Sequence, residues 1–189
     1  CGVSNTGHDI GGFAGPAPEP ELFLRWVAHG IFLPRFSIHS WNDDQSVNEP
    51  WMYPAITPHI RALIAFRYRL IPYLYDLLWR SHTNYEPMIR PTRYDFPDDP
   101  RCFDENDEMM LGGKLLVASV VEPGSRERQV YLPRGCAWID FWSGERFAGG
   151  QTISLAAPWD RPPLLVRDGS IIPLNLAEQH FAQPADERG

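Results

Sequence analysis

Gly7-His8-Asp9-Ile10-Gly11-Gly12-Phe13 is a strand-like run that carries one carboxylate into a pair of glycines and then an aromatic ring. Lacking a Cβ, glycine lets backbone and ligand approach closely. An aspartate at such a strand end can accept hydrogen bonds from sugar hydroxyls, and Phe13 can offer an apolar wall to a sugar ring. Taken alone, the stretch reads more simply as a turn-capping Asp9 between structural glycines.

Downstream of it, residues 20–30 read as a helix. Pro20 is tolerated in a first turn, Glu21 suits the positive helix end, Leu22, Trp26 and His29 follow helical spacing, and Gly30 ends the run. A second strand-like run, Ile31 to Ile38, ends in His39. The loop from Ser40 to Glu49 is polar apart from Trp41 and Val47 and is built like a pocket rim. By themselves, His39 is most simply a capped structural histidine and Trp41 a ring packed under its loop. The longest helix is expected over 57–84, with Thr57 as cap and Pro58 just inside. Ile60, Leu63, Ile64, Leu70, Ile71, Leu74, Leu77 and Leu78 give it a broad apolar face. Pro72 removes one backbone hydrogen bond there, so a kink is expected over 68–72.

After residue 86 the chain changes to short β-rich runs at 115–121, 129–132, 138–141, 152–155, 164–166 and 170–172. Pro123-Gly124, Pro133-Arg134-Gly135, Ser143-Gly144 and Gly149-Gly150 punctuate them. Such regular spacing predicts an antiparallel β-sandwich over 86–175, with 176–189 a linker or the start of a further element. Trp138 and Trp142 can be read as sugar-binding aromatics, but period-two spacing around Ile139 and Phe141 favours core. The acidic run 95–108 lacks the spaced Asp and Gly of a calcium loop and reads as a solvated loop, so neither a metal site nor a cofactor is expected.

The length, 189 residues, suits one ordinary domain or two small pieces sharing an interface. With 43% hydrophobic and 13% aromatic residues the chain can bury a sizeable core. A net charge of -7, a pI near 5.3 and a single lysine, Lys114, argue against nucleic-acid and anionic-membrane partners, which need clustered Lys and Arg. Self-association into a homo-oligomer is left open. Cys1, Cys102 and Cys136 are odd in number and lack metal-ligand spacing, which fits reduced thiols and a cytoplasmic setting. No signal peptide or long apolar run is visible; the chain starts at Cys1 in mid-pattern, so an upstream segment is expected.

Gly7 to Phe13, Arg25-Trp26, His39 and Glu49-Pro50-Trp51 together resemble glycoside hydrolase family 31. The likeness continues in the same order through Arg67-Tyr68-Arg69-Leu70-Ile71-Pro72-Tyr73-Leu74-Tyr75, Arg90-Pro91, and Leu111-Gly112 with Leu115-Leu116-Val117. Val130-Tyr131-Leu132-Pro133 and Trp138-Ile139-Asp140 complete it. It covers residues 4 to about 173, and such ordered coverage outweighs the plainer readings of Asp9 and His39.

The resemblance implies α/β plus all-β architecture: residues 1–85 as the last two strand-helix units of a (β/α)8 TIM barrel, followed by the family's proximal antiparallel β-sandwich. In such barrels the pocket lies at the C-terminal strand ends, where Asp9, Phe13, His39 and Trp41 would meet as substrate-binding residues. The family's matching Asp and His contact the sugar in the -1 subsite, which implies that role for Asp9 and His39. The implied activity is that of a retaining α-glycosidase acting on α-linked glucosides or related sugars. Such chemistry needs a nucleophile and an acid/base about 5 Å apart. Neither the family's Trp-x-Asp-Met-x-Glu pattern nor its Gly-Asp pattern occurs here, so no catalytic residue is expected in this chain, which alone should be inactive. Its partners would be a carbohydrate and the N-terminal part of the same barrel. The alternative is a non-catalytic carbohydrate-binding or assembly module. One departure stands out: many members carry Arg two residues before the pocket histidine, where this chain has Ser37. Arg35 is expected to lie two steps further back on the same face and not to substitute. Glucosides, xylosides and less common sugars therefore all stay open.

Overall fold

The structure is a computed structural model and describes residues 6–42, 45–104 and 107–176. Two parallel strands, β1 (Asp9–Ile10) and β2 (Ser37–Ile38), pair with Asp9 opposite Ser37 and Ile10 opposite Ile38. Parallel neighbours need a crossover connection, and α1 (Pro20–Gly30) supplies it, with Pro20 and Glu21 in its first turn. Strand alternation turns Ile10 into the helical layer, where it is fully buried, and Asp9 to the other face. The fit is close: a Cβ added at Gly30 would lie 2.4 Å from Ile10 Cδ1. Phe23, Leu24, Val27 and Ala28 of α1 then share one core with Ile60, Leu63, Phe66 and Leu70 of α2 (Thr57–Asn84).

Two boundaries differ from expectation here. Of the run Ile31 to Ile38 only the last two residues are strand; Ile31, Phe32 and Leu33 form a buried turn at the end of α1. Pro34 has no N–H to give a ladder, and the carbonyls of Ile31, Leu33 and Pro34 instead accept from the Arg67 guanidinium at 2.7, 2.7 and 2.9 Å. Thr57, read as a cap, is the first helical residue, and its hydroxyl donates to the Tyr53 carbonyl at 3.0 Å. The helix runs through Pro72 as a single element.

The second half is β-rich. After β3 (Ile89–Arg90), α3 (Thr92–Asp95) and a 3-10 turn at Pro100–Phe103 come β4 (Glu108–Leu111), β5 (Leu115–Ala118) and β6 (Glu127–Leu132). Then follow β7 (Ala137–Asp140), β8 (Arg146–Ala148), β9 (Gln151–Ala156) and β10 (Leu164–Arg167). An antiparallel sheet runs β3-β4-β5-β10-β7-β8, and β6 pairs with β9 as a separate ribbon. Leu115, Val117 and Leu164 face the helical core, whereas Leu116, Ala118 and Leu165 face a second core shared with Val130, Leu132 and Leu155 of the ribbon. The sheet is thus sandwiched between helices and ribbon. Burial on both faces explains why β5 reads as an unbroken apolar run and not as an alternating one. Residues 170–172, expected as a strand, are irregular, with Ile171 exposed.

The acidic run is a solvated loop only in part: Asp98, Asp104 and Asp107 are exposed, whereas Asp99 and Glu108 are buried. Asp95 takes two hydrogen bonds from Arg90, at 2.8 and 2.7 Å. Asp99 is 1% exposed and accepts from the Tyr131 hydroxyl and the Arg134 amide. Burial pushes its carboxyl up, but the bonds from Arg134, Tyr131 and the Arg101 amide outweigh that and hold it down to about 2. Glu108 is a buried residue of β4. Trp138 is fully buried with its indole N–H on the Pro133 carbonyl at 3.0 Å. Trp142, half-buried, donates to the Pro162 carbonyl at 2.8 Å and packs 5.0 Å from the Phe66 ring. Cys102 and Cys136 are free thiols. Among the described residues no helix is long and apolar enough to cross a membrane.

Replacing Arg67 by Met leaves three carbonyls without their charged donor, each such bond being worth roughly 1.5–3 kcal/mol. Urea unfolding of Arg67→Met should show a loss of about 3 kcal/mol after partial rehydration of the turn; an unchanged midpoint would mean that the turn stands without Arg67.

Candidate functional site

Parallel strands end side by side, so whatever follows β1 and β2 is brought to one edge. β1 ends in Gly11 and Gly12, both at positive φ, +93° and +91°, and the Gly12 amide closes the turn on the Asp9 carbonyl at 3.0 Å. Any side chain at Gly11 would strain the backbone, and its Cβ would lie 2.7 Å from Asn48 Nδ2. Phe13 follows, half exposed, and its carbonyl accepts from the Trp41 amide at 2.6 Å. His39 directly follows β2, and its exposed ring sits 5.6 Å from that of Phe13 at a 53° tilt. Trp41 is 72% exposed.

Phe13, His39 and Trp41 are therefore neighbours. Asp9 lies opposite Ser37, two residues before His39 and on the same strand face. Carrying the ladder spacing forward puts the Asp9 and His39 Cα atoms about 8 Å apart. Phe13, His39 and Trp41 lie just past the C-terminal ends of the two strands, and Asp9 lies within β1. Two concavities lie elsewhere among the described residues: about 520 Å³ beside Trp51 and Arg61, and about 1060 Å³ between α1 and the β domain near Leu22, Trp26 and Val121.

Arg35, expected to lie too far back to stand in for a cation at position 37, nevertheless reaches Asp9. Its Nη2 donates to Asp9 Oδ1 at 2.7 Å. The pairing of the two segments continues behind the strands: the Arg35 amide donates to the Thr6 carbonyl at 3.1 Å, and a Cβ on Gly7 would lie 2.1 Å from the Arg35 carbonyl oxygen. An arginine side chain spans two strand steps, about 7 Å, which is the offset from its own Cα to the register of Asp9. A second residue escaped the sequence reading. Asn48, buried, donates its amide to Ser40 Oγ at 2.8 Å and its Nδ2 to the Gly12 carbonyl at 2.9 Å, tying the rim loop to the glycine turn. A polar residue in a polar loop carries no signal of such a contact; only the adjacent glycine pair hints at it. Asp43 and Asp44 of that loop lie outside the described residues.

On the other face of β1 the Trp26 indole donates to His8 Nδ1 at 2.7 Å. His8 stacks on His29, with rings 5.3 Å apart and 10° from parallel, and His29 Nδ1 shares a 2.7 Å hydrogen bond with Ser119 Oγ of the β domain. Arg25 completes the bolt, donating to the carbonyls of Ala157 and Ser125 at 3.1 and 2.6 Å. Burial, with a smaller contribution from His8, lowers His29 to about 4, so it is neutral at pH 7. Among the described residues no three His, Cys, Asp or Glu gather as metal ligands.

Known proteins resemble this chain. A family model described as Glycosyl hydrolases family 31 TIM-barrel domain matches residues 1–77, and one described as Glycosyl hydrolase family 31 C-terminal domain matches residues 85–172. Neutral alpha-glucosidase C of Homo sapiens is 39% identical over 175 residues, which are 92% of this chain and 19% of that protein. An alpha-xylosidase of Saccharolobus solfataricus is 34% identical over 183 residues, 92% of this chain and 25% of that protein. The solved structure of the cycloalternan-forming enzyme from Listeria monocytogenes, in complex with a pentasaccharide substrate, superposes with a TM-score of 0.86 at 36% identity, covering 93% of this chain and 17% of that one. The chain spans about a fifth to a quarter of the length of these curated relatives.

Because the folded state holds His29 near 4 and an unfolded chain near 6.5, the unfolded form takes up the proton first as pH falls. The stabilising effect is complete above about pH 6.5 and is lost as pH falls towards 4. Between pH 7.5 and 5 the expected loss from this one group is about 2 kcal/mol. Urea midpoints at the two pH values measure it, and His29→Gln should flatten the difference; an equal difference in the variant would assign the acid sensitivity elsewhere.

Proposed function

This chain belongs to glycoside hydrolase family 31, and we propose that it is the sugar-facing C-terminal part of a retaining α-glycosidase barrel together with its supporting β domain. The observation that carries this reading is that two parallel strands end side by side, with Asp9 opposite Ser37 and the Phe13 and His39 rings in contact just beyond them. Asp9 accepts from sugar hydroxyls, His39 exchanges hydrogen bonds with a neighbouring hydroxyl, and Phe13 and Trp41 cover the apolar face of the ring. These groups hold the sugar at the -1 subsite and do not react with it. The two carboxylates that form and hydrolyse the glycosyl-enzyme intermediate come from another part of the protein, so this chain alone is inactive. The substrate class is an α-glucoside, an α-xyloside or a related sugar, in keeping with the relatives named above. A reducing, cytoplasmic compartment suits the free thiols Cys102 and Cys136.

Sugar binding by the β domain through Trp138 or Trp142 finds little support, since the first ring is fully buried and the second is packed on Phe66.

In the complete enzyme, Asp9→Asn and His39→Ala should each lower kcat/KM at least tenfold, since a charge-assisted hydrogen bond is worth roughly 1.5–3 kcal/mol. Wild-type kinetics in both variants would remove these residues from the substrate site.

A further inference from the structure

We propose that Arg35 is a positioning residue for Asp9, its guanidinium taking one carboxylate oxygen so that the other is presented to the sugar; this rests on Asp9 binding substrate as proposed above. The contact is one-sided, Nη2 to Oδ1 at 2.7 Å, and so leaves Oδ2 as the acceptor that faces a ligand. Ser37, directly opposite Asp9, is neutral and cannot supply the cation. The arginine is fixed by the same ladder that fixes the aspartate, through its amide on Thr6 and its carbonyl against Gly7, so cation and acid share one scaffold.

Both side chains are partly exposed, 44% for Arg35 and 25% for Asp9. Exposed pairs contribute little to stability, so the fold does not need this one. A bound sugar changes the situation by removing water from the carboxylate. An uncompensated charge desolvated in that way is costly, and a cation already in contact offsets the cost. It also stops the carboxylate from rotating, and small misplacement of a substrate-positioning group lowers the rate of a bound reactant.

The test is a double-mutant cycle in the complete enzyme, with p-nitrophenyl α-glucoside and p-nitrophenyl α-xyloside as probes and thermal melts as the folding control. Arg35→Gln should lower kcat/KM about tenfold with its melting temperature unchanged, and Arg35→Lys should fall between it and wild type. In the Asp9→Asn background the same Arg35→Gln change should cost less than twofold, because the residue it positions is already disabled. Guanidinium ion should restore part of the activity of Arg35→Ala but none to Asp9→Asn. The proposal is overturned if Arg35→Gln is as active as wild type while Asp9→Asn is not. It is equally overturned if the two losses multiply, which would put Arg35 on the sugar itself. If Asp9→Asn is fully active, the substrate-binding reading fails first and takes this inference with it.

Discussion

The pairing of Asp9 with Ser37 in a parallel two-strand ladder is the constraint on which the rest of the molecule hangs. Side chains alternate with a period of two, so a slip of one residue would turn Asp9 into the helical core and Ile10 to the open face. The slip is blocked at several points at once: Ile10 fills the space left by the missing Cβ of Gly30, the Gly12 amide closes back on Asp9, and Gly7 lies flush against Arg35. Packing on one face of the strand thus decides the chemistry offered on the other.

The β domain belongs to the same argument. Its sheet is buried on both faces, by the helices on one side and by the ribbon on the other, so that it acts as a rigid wall behind α1. Arg25 and His29 fasten α1 to that wall through Ala157, Ser125 and Ser119. Since α1 also fixes His8 through the Trp26 indole, the strand that carries Asp9 is held from behind by residues of the other half of the chain. Buried acids such as Asp99 are tolerated because several donors converge on each carboxylate.

The two long helices were legible because their ends carry strong punctuation, Pro20 and Gly30 for one and Pro58 for the other, and β6, β7, β9 and β10 because turn residues bracket them, whereas the short α3 was not read. Ile31 to Leu33 were not, since a short apolar run can be a strand or a buried turn, and only the distant Arg67 decides between them. Asp95 and Asp99 misled for the converse reason: carboxylates suggest solvent until their donors, Arg90, Tyr131 and Arg134, are seen around them. The proposed roles of Asp9 and His39 rest on ordered resemblance across the whole chain, their own spacing favouring a plainer reading. Arg35 was seen and discounted, because strand geometry locates its Cα correctly but says nothing of how far a flexible side chain extends along the face.

An acid and an imidazole that hold a single ring is the claim with most consequence, and a crystal structure of the complete enzyme with a sugar trapped in its pocket measures it directly. The account predicts Asp9 and His39 both within hydrogen-bond distance, about 2.6–3.2 Å, of hydroxyls on the same ring, with Phe13 or Trp41 against its apolar face. A sugar seated out of reach of both groups, or touching them on two different rings, would contradict it.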